Sequence, residues 1–259
     1  MTAALITETV KLRRSRMWWI TLLGFTVAGA VGTLFMYIGQ DPGRARKLGL
    51  LGDKAQLATI TADWPGHLAL LGQISSIGGV GIFGVLIIWI FGREFSDHTV
   101  KDLLALPTSR TAIVLAKFTV AAGWSAVLTL YLCGLGIAGG AILDLPGWSA
   151  GAATHGLGRL VAAAGMTLLL TFPFALAASA GRGYLAAVGA LFGAVFSAQI
   201  VAALGYGAYF PWSVPALYTG VTGPDGQHAG WWSPITVAAV GVVAVGATVR
   251  WWRRADQTG

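Results

Sequence analysis

The placement of charge constrains this chain more than any other feature. No Asp, Glu, Lys or Arg occurs in residues 17–40, 68–91, 118–143 or 160–180, and each run is apolar through most of its length. A hydrocarbon core about 30 Å thick needs roughly 20 such residues at 1.5 Å rise each. Inside lipid an open strand edge leaves N–H and C=O groups without partners, so each run is expected to be a helix, whose backbone bonds close within the segment. With two further runs the spans fall at about 17–38, 68–91, 113–140, 160–180, 184–206 and 233–249. The fold class that follows is an all-α membrane protein with six transmembrane helices. The composition agrees, with 56% hydrophobic and 10% charged residues against about 25% charged in soluble domains.

The net charge of +7 does not point to nucleic acid, because the cations sit at the ends of the apolar runs, where topology explains them. Six spans put both termini on one side. That side holds Lys11, Arg13, Arg14, Arg16, Arg93, Lys101, Arg110, Lys117, Arg182, Arg250, Arg253 and Arg254; the other holds Arg44, Arg46, Lys47, Lys54 and Arg159. The positive-inside rule therefore places both termini in the cytoplasm. The uncharged run after Arg16 exceeds the roughly 7–15 residues of a signal-peptide core and is expected to remain as the first span. Cys133 is the one cysteine, so no intramolecular disulfide can form.

Between the second and third spans, residues 92–111 form a loop dense in charge. Thr99 is followed three positions later by Asp102, the spacing of a capping box that opens a helix, and Pro107 closes that helix after about two turns. Val100, Leu103 and Leu104 share one face; Lys101, Asp102 and Ala105 share the other. The expectation is a short amphipathic helix across the end of a hydrophobic hairpin, with Ser109 or Thr108 capping the next helix. A solvated hairpin loop is the plainer alternative. Glu94 and Lys117 can pair and stiffen the hairpin, or form an interfacial ion pair contributing about 0–1 kcal/mol.

This loop resembles the cytoplasmic loop of the ABC-2-type permeases, the membrane subunits of ATP-binding-cassette exporters. The likeness is carried by Gly92-Arg93-Glu94, Thr99, Leu103-Leu104-Ala105-Leu106-Pro107, Ser109-Arg110 and Lys117; the departure is His98, where relatives often carry Gly. The resemblance implies a coupling helix seated in a cleft of a separate ATPase subunit, with Arg93, Glu94, Asp97, Thr99, Lys101, Asp102, Leu103, Leu104, Pro107 and Arg110 as coupling residues. It implies a bacterial cytoplasmic membrane, two ATPase copies that carry ATP and Mg, and a second permease subunit, by symmetry a homodimer. It also implies a pathway along the second and fifth helices, near Gln73, Ser76, Phe83, Phe192, Phe196 and Gln199, although packing is the plainer role for each.

Two more segments fit that resemblance. On a helix over residues 1–16, Leu5, Ile6, Val10 and Leu12 gather on one side and Glu8, Lys11 and Arg14 on the other, so an amphipathic connecting helix is expected along the membrane surface. Arg13 and Arg16 fall near its apolar side, where they can snorkel to phosphates. A basic anchor that only fixes orientation is the alternative. Residues 207–232 are too apolar for an ordinary loop and too rich in Pro and Gly for a span, so an external re-entrant segment is expected. The piece from Phe210 to Pro215 is similar to the re-entrant helices of the permease family, particularly its bacitracin-exporter-permease-like branch, a resemblance that makes Phe210, Pro211, Trp212 and Pro215 an external gate; an aromatic interface belt is the other reading. Residues 17–254 then form one permease domain.

Several chemistries are missing. No Gly-Lys dipeptide occurs, so the phosphate-cradling P-loop is absent and ATP must be handled by another chain. The spans carry no carboxylate near mid-membrane, which argues against ion-coupled transport. His67, His98, His155 and His228 lie in different loops without ligand spacing, so neither a metal nor a catalytic group is expected in this chain. The reading is the permease of an exporter for a hydrophobic or amphipathic substrate such as a drug, peptide antibiotic or lipid. The alternative is a non-transporting membrane anchor that recruits a soluble partner through residues 92–111.

Overall fold

The computed structural model describes residues 1–41, 43, 61–104, 107–221 and 229–254. Most of the expected external loop at 39–67, Ala105 and Leu106 of the loop motif, the side chain of Leu104, and residues 222–228 of the expected re-entrant segment lie outside the described residues. The described chain is helical throughout its regular structure. Helix α1 (Thr2–Arg14) leads into α2 (Met17–Gln40) and α3 (Trp64–Ser96); the short α4 (Val100–Leu104) follows, then α5 (Arg110–Ile142), α6 (Ala150–Thr171), α7 (Pro173–Ala180) and α8 (Leu185–Ala203). Two 3-10 turns, Gly207–Tyr209 and Pro211–Ser213, precede α9 (Val214–Tyr218), and α10 (Ser233–Arg254) closes the bundle. Six segments are long and apolar enough to cross a membrane, α6 and α7 together making one of them.

Helix α3 is the central strut, with 61% of its most apolar window buried against its neighbours, whereas α8 buries 11%. At 33 residues, α3 and α5 are each about 50 Å long, so both overrun a hydrocarbon core of about 30 Å. Close approach is set by missing side chains: a Cβ on Gly84 would run into Leu191 of α8, and one on Gly140 into the Trp64 ring. Gly189 and Gly193 of α8, four residues apart, meet nothing within 4 Å.

Helix ends differ from the expected spans because polar caps extend helices beyond the apolar runs. Asp63 accepts from Gly66 N–H at 2.7 Å and starts α3 at Trp64, ahead of residue 68. Ser149 accepts from Ala152 N–H at 3.1 Å and starts α6 at Ala150, ahead of residue 160. Arg159 is therefore helical. The break in the fourth span falls at Phe172, before Pro173. Phe172 N–H takes the Leu169 carbonyl, which the proline leaves without its usual donor, and the Trp212 indole donates to the neighbouring Leu170 carbonyl at 3.1 Å.

Candidate functional site

At the end of the bundle that holds α1 and α4, four charged side chains from three helices meet away from solvent. Lys117 stands about 10 Å along α5 from Arg110. Its ammonium donates to Glu94 Oε1 at 2.8 Å, Glu8 Oε2 at 3.0 Å and the Ile90 carbonyl at 3.2 Å, which uses all three N–H groups. Lys11 donates to Glu94 Oε1 at 2.7 Å and to Glu8 Oε1 at 3.2 Å. The Thr99 hydroxyl completes the set by donating to Glu94 Oε2 at 2.8 Å. Both carboxylates thus accept on both oxygens, and two cations face two anions.

That completeness is what lets the charges be buried. The side chains of Lys117 and Glu94 are 0% and 1% exposed, and an isolated ion in such a place costs several kcal/mol unless it is paired and fully hydrogen-bonded. Burial works to lower the Lys11 pKa, but the carboxylates of Glu8 and Glu94 outweigh it and hold the ammonium above its ordinary value. The four carboxylate oxygens and all three Lys117 donors are taken within the cluster. What the arrangement can do is mechanical, because Glu94 ties α1, the start of α4 and α5 to the end of α3.

The expected coupling residues divide into an inward and an outward set. Glu94 and Lys117 pair as expected. Val100 and Leu103 turn inward with Leu12, Phe95 and Trp252 in one apolar core, so Leu103 is not available to a partner's surface. Asp97, Thr99, Lys101, Asp102 and Pro107 are exposed. Arg93 lies over the Trp89 ring at 4.7 Å and beside Asp97 at 3.9 Å. Arg110 donates to the Trp252 carbonyl at 3.1 Å, capping the C-terminal end of α10, where a cation suits the helix dipole. Ser109 caps α5 through Ala112 N–H.

Two expectations are corrected here. Thr99 occupies the N-cap position, its carbonyl accepting from Leu103 N–H, but its hydroxyl donates to Glu94, and among the described residues it makes no capping-box bond with Asp102. Donating to a buried carboxylate is charge-assisted and fixes the side chain toward Glu94. In α1, Glu8 is buried while Ile6 and Val10 are 61% and 41% exposed. The helix therefore rolls so that Leu5, Glu8 and Leu12 face the bundle. Glu8 and Lys11 were missed as site residues because hydrophobicity placed them outside; the signal that points to them is Lys117, whose three donors one carboxylate does not fill.

At the opposite end, the expected pathway and gate residues are partly brought together. Ser76 is buried and donates to the Gly72 and Pro215 carbonyls. With Gln199 and Trp212 it lines a cavity of about 180 Å³ between α3, α8 and α9. Gln73 donates to the Gly220 carbonyl at 3.4 Å. Phe192 and Phe196 stack on the exposed side of α8, 6.3 Å apart. Phe83 does not join them: it is fully buried against Phe25, 5.4 Å between centroids, and faces neither the cavity nor the α8 surface. Phe210 packs on Trp212 at 5.5 Å, Pro211 opens a 3-10 turn, and Pro215 is buried. Among the described residues no group of three His, Cys, Asp or Glu could hold a metal.

Comparison with known proteins bears on this arrangement. Residues 4–198 match the family model for ABC-2 family transporter proteins. The chain is also 27% identical over 181 residues to the Bacitracin transport permease protein BCRB of Bacillus licheniformis, covering 69% of this chain and 85% of that relative.

Proposed function

This chain belongs to the ABC-2 family of transporter proteins, and we propose that it is the permease of an ATP-driven exporter in a bacterial cytoplasmic membrane, with both termini cytoplasmic. A separate ATPase subunit, two copies to a permease dimer, supplies ATP and Mg; this chain carries no catalysis. The observation that carries the reading is the Thr99 to Glu94 to Lys117 connection. An ATPase that grips the exposed Asp97, Lys101, Asp102 and Pro107 pulls, through Thr99, on a carboxylate that α1, α3 and α5 share. Closure of the ATPases is thereby passed to the second and third spans as one rigid unit. The weakly covered α8, with Phe192, Phe196, Gly189 and Gly193 on its outer surface, suits contact with a second copy of the chain. Residues 207–221 cap the outer end as a gate.

The spans offer an apolar, uncharged passage, which suits a hydrophobic or amphipathic substrate, and the relative named for bacitracin transport is consistent with a peptide antibiotic. The test is co-purification with the ATPase subunit, followed by ATPase assays with bacitracin as the first probe. A charge exchange on the exposed face, K101E with D102K, is expected to lose the ATPase while the permease stays folded. Tight ATPase binding with no stimulation or movement by any amphipathic compound would favour a non-transporting anchor and overturn the proposal.

A further inference from the structure

A cavity of about 730 Å³ opens on the side of the bundle between α1, α2 and α5, next to the Glu8–Lys117 ion pair that joins α1 to α5. Its walls are Leu5 and Leu12 of α1, Trp18 of α2, and Val120, Trp124 and Val127 of α5. Trp18 meets Trp124 edge-on at 6.4 Å, and the Trp124 indole is held by Thr21 Oγ1 at 3.0 Å, so the aromatic wall is fixed. From Thr119 to Val127 the groove follows α5 for about 12 Å into the apolar span. Its volume lies within the roughly 300–1,000 Å³ of sites that hold small ligands.

The mouth of the groove is cationic. Glu8, the one acidic residue of α1, is turned inward and neutralised by Lys11 and Lys117. The outward side of this segment therefore presents Arg13, Arg14 and Arg16, all exposed, and Arg13 itself lines the groove. Among the described residues no carboxylate forms an ion pair with Arg13. We propose that this groove is a binding site for an anionic phospholipid of the leaflet on the side of the termini, its phosphate on Arg13 and an acyl chain along Trp18, Trp124 and Val127. A cation at headgroup depth above an apolar, tryptophan-walled slot complements both halves of such a molecule. The lipid fills the groove that α1 and α5 leave open beside the Glu8–Lys117 bond. The site is independent of any ATPase.

Gly123 supplies a clean probe, because a Cβ there meets nothing within 4 Å and a larger side chain on this exposed position enters the groove rather than the core. Wild-type chain, R13Q and G123F are purified in full length, exchanged into nanodiscs of phosphatidylcholine with increasing phosphatidylglycerol, and examined by native mass spectrometry. The wild type is expected to retain one phosphatidylglycerol per chain in preference to phosphatidylcholine. R13Q should cut that preference several-fold, and G123F should abolish retention with an unchanged melting temperature. Equal retention of both lipids by the wild type, or wild-type retention by both variants, overturns the proposal. Displacement of the lipid by bacitracin also overturns it, because the groove would then belong to the substrate.

Discussion

The two ends of the bundle are held together by different chemistry. Around Lys117 the helices are joined by ionised side chains that need one another: each carboxylate oxygen and each Lys117 proton has its named partner. Around residues 207–221 the joining groups are neutral main-chain carbonyls. Pro215 accepts from Ser76, Leu170 from Trp212, and Ala198 from Ser213 Oγ at 3.2 Å. Arg159 adds a charged donor there, to the Tyr218 carbonyl. An ion cluster resists piecemeal opening, because freeing one member strands another in low dielectric. Carbonyl links of about 1 kcal/mol each can be exchanged one at a time, with water taking the vacated acceptor. The first end is built to move as a unit and the second to yield.

That contrast is open to attack. Removing Glu94 should have the largest effect: E94A leaves Lys117 and Lys11 facing Glu8 alone, and a cost of about 3–5 kcal/mol is expected, read as a large drop in melting temperature of the detergent-purified chain. Neutralising both partners, E94Q with K117Q, should cost clearly less than the sum of the single changes, because no stranded charge remains. A strictly additive double variant would remove the cluster from the account. At the other end, W212F leaves the Leu170 carbonyl without its donor at the proline break and should cost about 1–3 kcal/mol. S76A, which removes one donor to Pro215, should cost about 1 kcal/mol. Should either carbonyl variant unfold the chain as E94A does, the two ends are not different in kind.

The smallest change has the opposite sign. His98 adopts φ +56°, the left-handed region that costs a side-chain-bearing residue about 1–2 kcal/mol. H98G should therefore stabilise the chain by about 0.5–1 kcal/mol once the greater flexibility of an unfolded glycine is subtracted. Thermal unfolding of H98G beside the wild type checks this. The position also shows how a departure from a family pattern acquires a physical meaning: a glycine there relieves a turn that histidine must strain to make.

How much could be read in advance follows from the same chemistry. The spans were legible because exclusion of charge over 20 residues has few explanations, and the Glu94–Lys117 pair because charges are rare enough in this chain to be matched. The roll of α1 was not legible, since hydrophobicity alone turns Glu8 outward and only the unfilled donors of Lys117 turn it in. The helical starts at Trp64 and Ala150 were obscured because caps, glycines and an arginine mask the periodicity. The links to Pro215, Leu170 and Ala198 left no trace in the sequence, because every residue offers a carbonyl. The burial of Phe83 against Phe25 was not legible for a similar reason: an aromatic ring on a span reads alike whether it faces a pathway or another ring.

The most direct test of the mechanical claim is T99V in the complex with its ATPase, reconstituted in proteoliposomes, with movement of a fluorescent amphipathic probe and ATP hydrolysis measured together. Valine keeps the shape of threonine and removes only the hydroxyl's bonds to Glu94, at Oε2 and, longer, at the main-chain carbonyl, so the ATPase should still bind and hydrolyse. The account expects the probe moved per ATP to fall several-fold. A ratio equal to that of the wild type, with ATPase binding intact, would show that the loop drives the membrane helices without the cluster and would contradict it.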